Sequence, residues 1–390
     1  MPERTVPVAR ALPPQRHLFD IPAEIAYFNC ASNSPQLNDS RARLHFGVDT
    51  KSRPWERTPQ SFFQDAETIR RLSSGLFGGA AEGYAIVAAA SYGISTAARA
   101  IEPHLRPGDR ILVVAEEFPS NVLPWRRVAQ GTGAVLETVP APEHGTWARA
   151  ILDRIDKHVK VVAVSTCHWT NGARIDLVPI GAACRDVGSA LVVDATQSLG
   201  AMPLSVDEVQ PDFLVAAGYK WLLCPYGFGL LYVSERWRDA RPLEETWLAR
   251  DNARNFAALS AYSDSYMPGA RRFDVGETCT PTILPGAIAA LEQIQAWGVD
   301  SIAASLSATN HRIAGSLEQL GFRLPDPSQR CPHLLGARTP PHWPDDLVAP
   351  LKEKNVFISR RAHSIRIATH LHITASDTDR LLEALHQLVP

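Results

Sequence analysis

The sequence predicts an α/β fold: a large domain on a mostly parallel, doubly wound sheet, then a smaller C-terminal α+β domain. Three observations carry this. Seven short apolar runs recur through the middle of the chain, most of them unbroken β-branched or Leu-rich stretches, as strands buried on both faces read. Helical patterns lie between several of them, and repeated βα units build a right-handed, mostly parallel sheet with helices on both faces. After about residue 285 long helical stretches give way to short strands, a segregation that suits an α+β domain.

Taken in order, the strands are expected at Tyr84–Ala89, Ile111–Ala115, Val135–Val139, Lys160–Ser165, Ala190–Asp194, Phe213–Ala217 and Gly229–Val233. Helices between them are expected at Ile94–Leu105, Ala148–Asp156 and Ile180–Val187. Further on come helices at Gly286–Trp297 and Ile302–Leu320, and short strands near His333–Arg338, Val356–Ser359 and Ser364–Ala368. A last helix covers about Asp377–Leu388. This divides the chain into a large domain at 21–285 and a small one at 286–390, with 1–20 packing on the latter.

At 390 residues, 45% hydrophobic and 21% charged, the chain is globular in composition, neither disordered nor fibrous. A net charge of −2 argues against nucleic acid or a polybasic membrane surface as partner. No apolar run is long enough to span a bilayer, and the Pro- and Arg-broken start has no signal-peptide core. The six cysteines include no CxxC and read as free thiols in a reducing cytoplasm. There is no GxGxxG, because GTGAVL at Gly131 and GFGLLY at Gly227 fail at the third glycine; nor is there a P-loop, HExxH, EF-hand loop or GxSxG. His370 and His372 alternate in HLH, which could place both on one strand face; without a Cys or carboxylate at metal spacing they read as a packed or surface pair, and no metal is expected.

The chemistry-bearing residues lie at strand ends, where α/β sheets bind ligands. Five of the six lysines have polar surroundings, but Lys220 sits in AAGYKWLLCPYGFG, past a buried-type strand and beside aromatics. Desolvation lowers an ammonium pKa and makes the amine nucleophilic. Asp194 ends another buried run in VVDATQSLG, 26 residues before Lys220, and Gln197 follows in the loop. An acid and a lysine so placed are what pyridoxal 5′-phosphate requires: the lysine forms the Schiff base and the acid pairs with the protonated pyridine nitrogen. In AAASYGISTAARAI, Ser91-Tyr92-Gly93 leads from a strand into a helix, where exposed N–H groups suit a dianionic phosphate. In EEFPSNVLPW, Phe118 follows a strand and offers an aromatic face to a flat ring.

With these residues the chain resembles the class V aminotransferase and cysteine-desulfurase-like family of fold type I pyridoxal-phosphate enzymes, from YFNCASNSP at Tyr27 to the final helix. The most specific stretch is VVDATQSLGAMPLSVDEVQPDFLVAAGYKWLLCPYGFGLLYV. The resemblance implies Lys220 as the Schiff-base lysine, Asp194 on the pyridine nitrogen and Gln197 on the phenolic oxygen. It implies Phe118 stacked on the ring and Ala90, Ser91 and Tyr92 around the phosphate. Arg366, in SIRIATHLHIT, falls where the family holds the substrate carboxylate through a bidentate guanidinium, with Arg360 and Arg361 as rivals. It also implies a homodimer with 271–282 reaching the neighbour's site.

The departures bear on the reaction. Cysteine desulfurases carry a nucleophilic Cys on a loop before that arginine, whereas NVFISRRAHSIR is short and has none. Cys30 and Cys279 lie in segments the family places near the site and are the candidate stand-ins. Ala217 and Tyr219 stand where desulfurases have Ser and His before the lysine, and Tyr219 retains a hydroxyl for the phosphate. Trp169 takes the place of a ring-contacting Asn, with Asn171 nearby; Glu277 stands where the partner's Thr usually does, with Thr278 adjacent. The expected activity is Cα deprotonation of an amino acid, with transamination as the first expectation and β-elimination at a C–S bond or Cα epimerisation as alternatives. A non-catalytic binding or regulatory protein on the same fold, and a nucleotide-dependent oxidoreductase, are the readings from other classes.

Overall fold

The protein is described by a computed structural model that covers residues 10–344 and 346–389. Strand β1 (Ala26–Tyr27) is two residues long. The next seven strands, β2 (Tyr84–Val87), β3 (Arg110–Val114), β4 (Val135–Val139), β5 (Val159–Ser165), β6 (Ala190–Asp194), β7 (Phe213–Ala217) and β8 (Gly229–Val233), form one sheet. Its order is β2-β8-β7-β6-β5-β3-β4. Only β8 runs against its neighbours, so the sheet is mostly parallel.

The unbroken apolar runs have a direct physical cause. Along β5, Val162 and Val164 enter one apolar cluster and Val161 and Ala163 enter another on the opposite face. Leu214 and Ala216 of β7 are divided from Phe213 and Val215 in the same way. Successive strand side chains point to opposite faces, so a sheet covered on both sides demands apolar residues at every position. The helix Ala90–Ile101 covers one face closely: a Cβ on Gly93 would lie 2.7 Å from Val215 Cγ1.

The C-terminal strands are β9 (Leu334–Arg338), β10 (Val356–Phe357), β11 (Ser359–Arg361) and β12 (Ser364–Ala368). The last two and β9 form an antiparallel sheet in the order β11-β12-β9, and β10 pairs with β1. Ile365 and Ile367 of β12 pack with Ile313, Leu317 and Leu381 in a separate core. The helix Leu284–Trp297 instead packs into the large sheet's core, and Val299–Gln319 bridges the two, with Ile302 in the large core and Ile313 in the small one. The N-terminal segment is tied nearby, through Gln15 N–H to the Leu371 carbonyl and the Arg16–Asp377 ion pair. Among the described residues no helix is long and apolar enough to cross a membrane.

Several boundaries differ from the sequence reading. The helix expected from Ile94 begins at Ala90 because β2 ends at Val87 and the chain turns at once; Ala89 is extended and supplies the cap position. The helix from Trp147 ends at Leu152, where Asp156 organises a turn by accepting from His158 N–H. The strand expected at Val356–Ser359 is divided between β10 and β11, which join different sheets.

Candidate active site

Because β3, β5, β6 and β7 are parallel, their C-terminal ends meet at one edge of the sheet. The residues there, with the start of the helix Ala90–Ile101, enclose a cavity of about 220 Å³ lined by Ala90, Ser91, Phe118, Asp194, Gln197, Tyr219 and Lys220 among others. Among the described residues five non-glycine positions have positive φ, and two of them flank this cavity, Glu116 before Phe118 and Leu223 after Lys220. Such backbone costs of order 1–3 kcal/mol and persists only where the surroundings enforce it.

Lys220 is buried, and its amine has no hydrogen-bond or ion-pair partner among the described residues. Burial pulls the amine down to about 8, opposed by Asp194 and reinforced by the nearby charges of Arg366 and Arg361. Its Nζ lies 5.6 Å from the Phe118 ring centre and 5.8 Å from that of Tyr219. Tyr219 is held by stacking on Tyr226 at 4.0 Å. Asp194 is also buried; its Oδ1 accepts from Thr196 N–H at 2.9 Å. Desolvation raises its carboxyl above the ordinary range, and the Thr196 bonds and Lys220 act the other way. Gln197 is anchored on both sides of its amide, donating to the Ala31 carbonyl at 3.1 Å and accepting from Trp221 Nε1 at 3.0 Å. Nε2 thus keeps one further proton to give.

The helix start is bare. Ala89 at the cap position has no side-chain acceptor, and Ser91 lies within the first turn instead of capping it. The N–H groups of Tyr92 and Gly93 reach back to the Ala89 carbonyl, and those of Ala90 and Ser91 ahead of them have no partner among the described residues, so they are available to an anion. Phe118 meets the Trp169 indole edge-on at 5.3 Å.

Arg366 is fully buried without a carboxylate in ion-pair reach among the described residues. Its guanidinium donates to Ser359 Oγ at 3.2 Å, the Trp169 carbonyl at 2.8 Å and Ser32 Oγ at 3.2 Å. Desolvation, with the Arg361 charge, pulls it down to about 9. A buried cation held only by neutral acceptors is a poised anion site.

Other expected residues are placed elsewhere. The Tyr92 side chain does not line the cavity, and its hydroxyl engages Glu244. Thr278 is buried off the cavity and donates to the Val275 carbonyl at 2.6 Å, while Glu277 is exposed. Trp169 is on the cavity wall; Asn171 faces a neighbouring cleft and accepts from Ala173 N–H. Neither Cys30 nor Cys279 lines the cavity: Cys30 is enclosed with its thiol pushed up to about 12 by burial, and Cys279 lines a separate pocket with Arg57. His370 and His372 do not share a strand face, because β12 ends at Ala368. They lie in the following turn, both buried and both pulled down by desolvation, to about 3 and about 4.

The structure adds residues that sequence reasoning missed. Glu117 lines the cavity, with Oε1 accepting from Phe118 N–H at 2.8 Å and Oε2 from Ser165 N–H at 3.0 Å. Burial pushes its carboxyl up to about 7, with the Asp194 charge adding. Its position just past β3 was the available signal. Cys167 is the thiol at the cavity wall, although its side chain is wholly enclosed. Its thiol is directed at the Gln197 carbonyl, 3.8 Å away, and the neighbouring Cys331 and His333 hold it below the ordinary thiol range.

These residues fit pyridoxal phosphate. Ser165 Oγ is buried on the cavity wall without a hydrogen-bond partner, and an amine, a carboxyl, an aromatic face and open helix N–H groups surround one small space. Among the described residues no cluster could hold a metal ion.

Comparison with known proteins agrees. The family profile described as aminotransferase class-V matches residues 52–378. A probable cysteine desulfurase of Pyrococcus abyssi (strain GE5 / Orsay) is 25% identical over 366 residues, which is 90% of this chain and 88% of that protein. Among solved structures, a C-DES variant with glycine covalently linked to its PLP cofactor superposes with a TM-score of 0.86 at 20% identity, covering 96% of this chain and 100% of that one. A complex of the cystine C–S lyase C-DES with its reaction product cysteine persulfide gives 0.84 at 20% identity, covering 94% and 99%.

Proposed function

The chain belongs to the aminotransferase class-V family of pyridoxal-phosphate enzymes, and from that premise we propose that it is a C–S lyase that eliminates the sulfur-bearing group of a cysteine-type amino acid. The names of its relatives favour this outcome over the transamination expected from the sequence. One observation carries it beyond their own reading as desulfurases: the β11–β12 hairpin, Ser359–Ala368, brings Arg366 to the site on a short turn without a thiol. Sulfur therefore leaves as a released thiol or persulfide, with no enzyme-bound carrier.

When bound, the cofactor supplies an aldehyde that captures amines and a ring that withdraws electrons. Lys220 is the residue to hold the aldehyde carbon and, once freed, to take the Cα proton; an amine pulled down to about 8 has a far larger neutral fraction near pH 7.5 than an ordinary lysine. Asp194 would pair with a protonated ring nitrogen and keep it charged. Phe118 would cover the ring, Gln197 would give its remaining N–H to the phenolic oxygen, and Ala90, Ser91 and Tyr219 would take the phosphate. Arg366 would orient the substrate by its carboxylate.

The proposal includes the two-domain division at 21–285 and 286–390, although the place of Leu284–Leu306 in the large core favours a later boundary. It also includes a cytoplasmic homodimer in which Thr278, off its own cavity, serves the neighbouring one.

The test is a panel of S-substituted cysteines and cystine given to the holoenzyme. Pyruvate, ammonia and the sulfur product should appear in equal amounts. Transfer of the amino group to a keto acid with the C–S bond intact overturns the reading.

A further inference from the structure

Two ring-bearing side chains close to the catalytic residues do not line the cavity. Trp221 follows Lys220 directly and is fully buried. His333 is also fully buried, in the segment that leads into β9. Both act on Gln197. The Trp221 Nε1–H donates to Gln197 Oε1 at 3.0 Å. His333 Nε2 meets the Gln197 backbone carbonyl, which the Cys167 thiol also approaches.

Donor and acceptor types leave the Gln197 amide one orientation. An indole N–H can only donate, and the Ala31 carbonyl can only accept. Turning the amide over would set N–H against N–H at Trp221 and oxygen against oxygen at Ala31, 3.1 Å away. Nε2 is therefore locked toward Ala31, with its second N–H left over. A carbonyl likewise only accepts, so His333 carries its proton on Nε2, while its Nδ1 is buried without a partner among the described residues. The same imidazole props the indole: the two rings meet edge-on at 4.3 Å, and His370 stacks on the indole with centres 6.3 Å apart. The loop that carries Gln197 is fitted to Trp221 as well. At Gly200, where φ is +98°, a Cβ would lie 2.7 Å from the Trp221 carbonyl oxygen. Gln197 is thus held from three parts of the chain, one of them the segment before β9, the strand that pairs with the Arg366-bearing β12.

We propose that Trp221 and His333 are positioning residues for the reaction: they hold the Gln197 amide so that an N–H, and not its oxygen, faces the cofactor's phenolic oxygen. The inference rests on the placement of Gln197 at that oxygen given above, and not on the C–S lyase reading. An N–H given there favours unshared negative charge on the phenolic oxygen. It therefore lowers the pH at which the Lys220 linkage to the cofactor loses its proton.

The test is a pH titration of the holoprotein, followed by the visible absorbance of the bound cofactor. Gln197→Ala should raise the midpoint by about one unit, the worth of one hydrogen bond to a charged oxygen. Trp221→Phe keeps a ring against His333 and His370 but has no N–H, and it should produce at least about half of that rise. His333→Phe should raise the midpoint as well, and His333→Gln, which keeps a donor, should bring it back toward the wild-type value. The double variant Trp221→Phe, Gln197→Ala should titrate like Gln197→Ala alone, because both changes act through one amide. Asp194, Arg366 and Arg361, whose charges act on Lys220, are unaltered in every variant. Only folded protein carries the cofactor absorbance, and if Trp221→Phe holds no cofactor the two His333 variants decide. An unchanged midpoint in Gln197→Ala sinks the placement of Gln197, and the inference with it. A raised midpoint in Gln197→Ala beside an unchanged or lowered one in Trp221→Phe overturns the positioning role alone, as does simple additivity in the double variant. Equal midpoints in His333→Gln and His333→Phe overturn the part given to His333.

Discussion

Replacing Arg366 by Met separates a substrate site from a structural cross-link. The guanidinium is buried against three neutral acceptors and pulled from 12.5 down to about 9, which corresponds to about 5 kcal/mol of uncompensated charge in the folded protein. This cost is present at all working pH values and is relieved only above about 9, where the unfolded chain still holds the proton. Met removes it while keeping most of the side-chain volume. Three charge-assisted hydrogen bonds are lost as well, at about 1.5 kcal/mol each by the lower figure for charged donors. The two effects nearly cancel, so the melting temperature of the apoprotein should move by less than about 5 °C. Amino-acid binding should respond quite differently. Truncating one member of a buried carboxylate–guanidinium pair costs about 2–5 kcal/mol, or about 30- to 5,000-fold in Kd. The assays are thermal unfolding of the apoprotein and titration of the holoprotein with an S-substituted cysteine, followed by cofactor absorbance. A drop of more than about 10 °C with an unchanged Kd would refute the reasoning and make Arg366 a strut between β12, Ser32 and Trp169.

The remaining predictions concern other parts of the same machinery. Borohydride should fix the cofactor to the peptide containing Lys220, and aldehyde capture by the apoprotein should rise with pH and level off above about 8; a rise that continues past about 10 contradicts the burial argument. Because this depressed amine binds fewer protons than the unfolded chain between about 8 and 10.5, the apoprotein should also gain stability as pH rises through that window, as urea midpoints would show. Cys167→Ser should keep sulfur release within about threefold, since the enclosed thiol is no carrier in this reading; loss of release together with loss of a persulfide adduct would make Cys167 the nucleophile. Asp274→Asn breaks the buried pair with Arg70 and should cost about 3–5 kcal/mol by urea unfolding, so a cost below about 1 kcal/mol shows the pair to be dispensable. Sedimentation should find a dimer, and a fully active monomer at micromolar concentration counts against the role of Thr278 in a neighbouring site.

What could be read from the chain alone is what adjacent residues encode. Strands β6, β7 and β8 lie where the apolar runs placed them, because a sheet covered on both faces writes its burial into consecutive residues. Asp194 and Lys220 were legible for the same reason: Asp194 ends one such run and Lys220 lies three residues past another, and parallel strands deliver their ends to one edge. The helix at Ala90 was harder to bound, since its start is set by how soon β2 leaves the sheet and not by a capping side chain. The rest needed the folded chain. Arg366 reaches Ser32 across 334 residues of sequence, and Glu117 and Cys167 join the cavity only because β3 and β5 lie side by side. Cys30 and Cys279 looked equally eligible as thiols, yet packing excludes both from the cavity. His333 meets Gln197 across 136 residues, and Arg366 meets Ser359 only through antiparallel register, in which a shift of one residue would send its side chain to the opposite face. Local pattern determines which faces are buried; which distant groups then meet is decided by pairing and register, and those are properties of the tertiary structure.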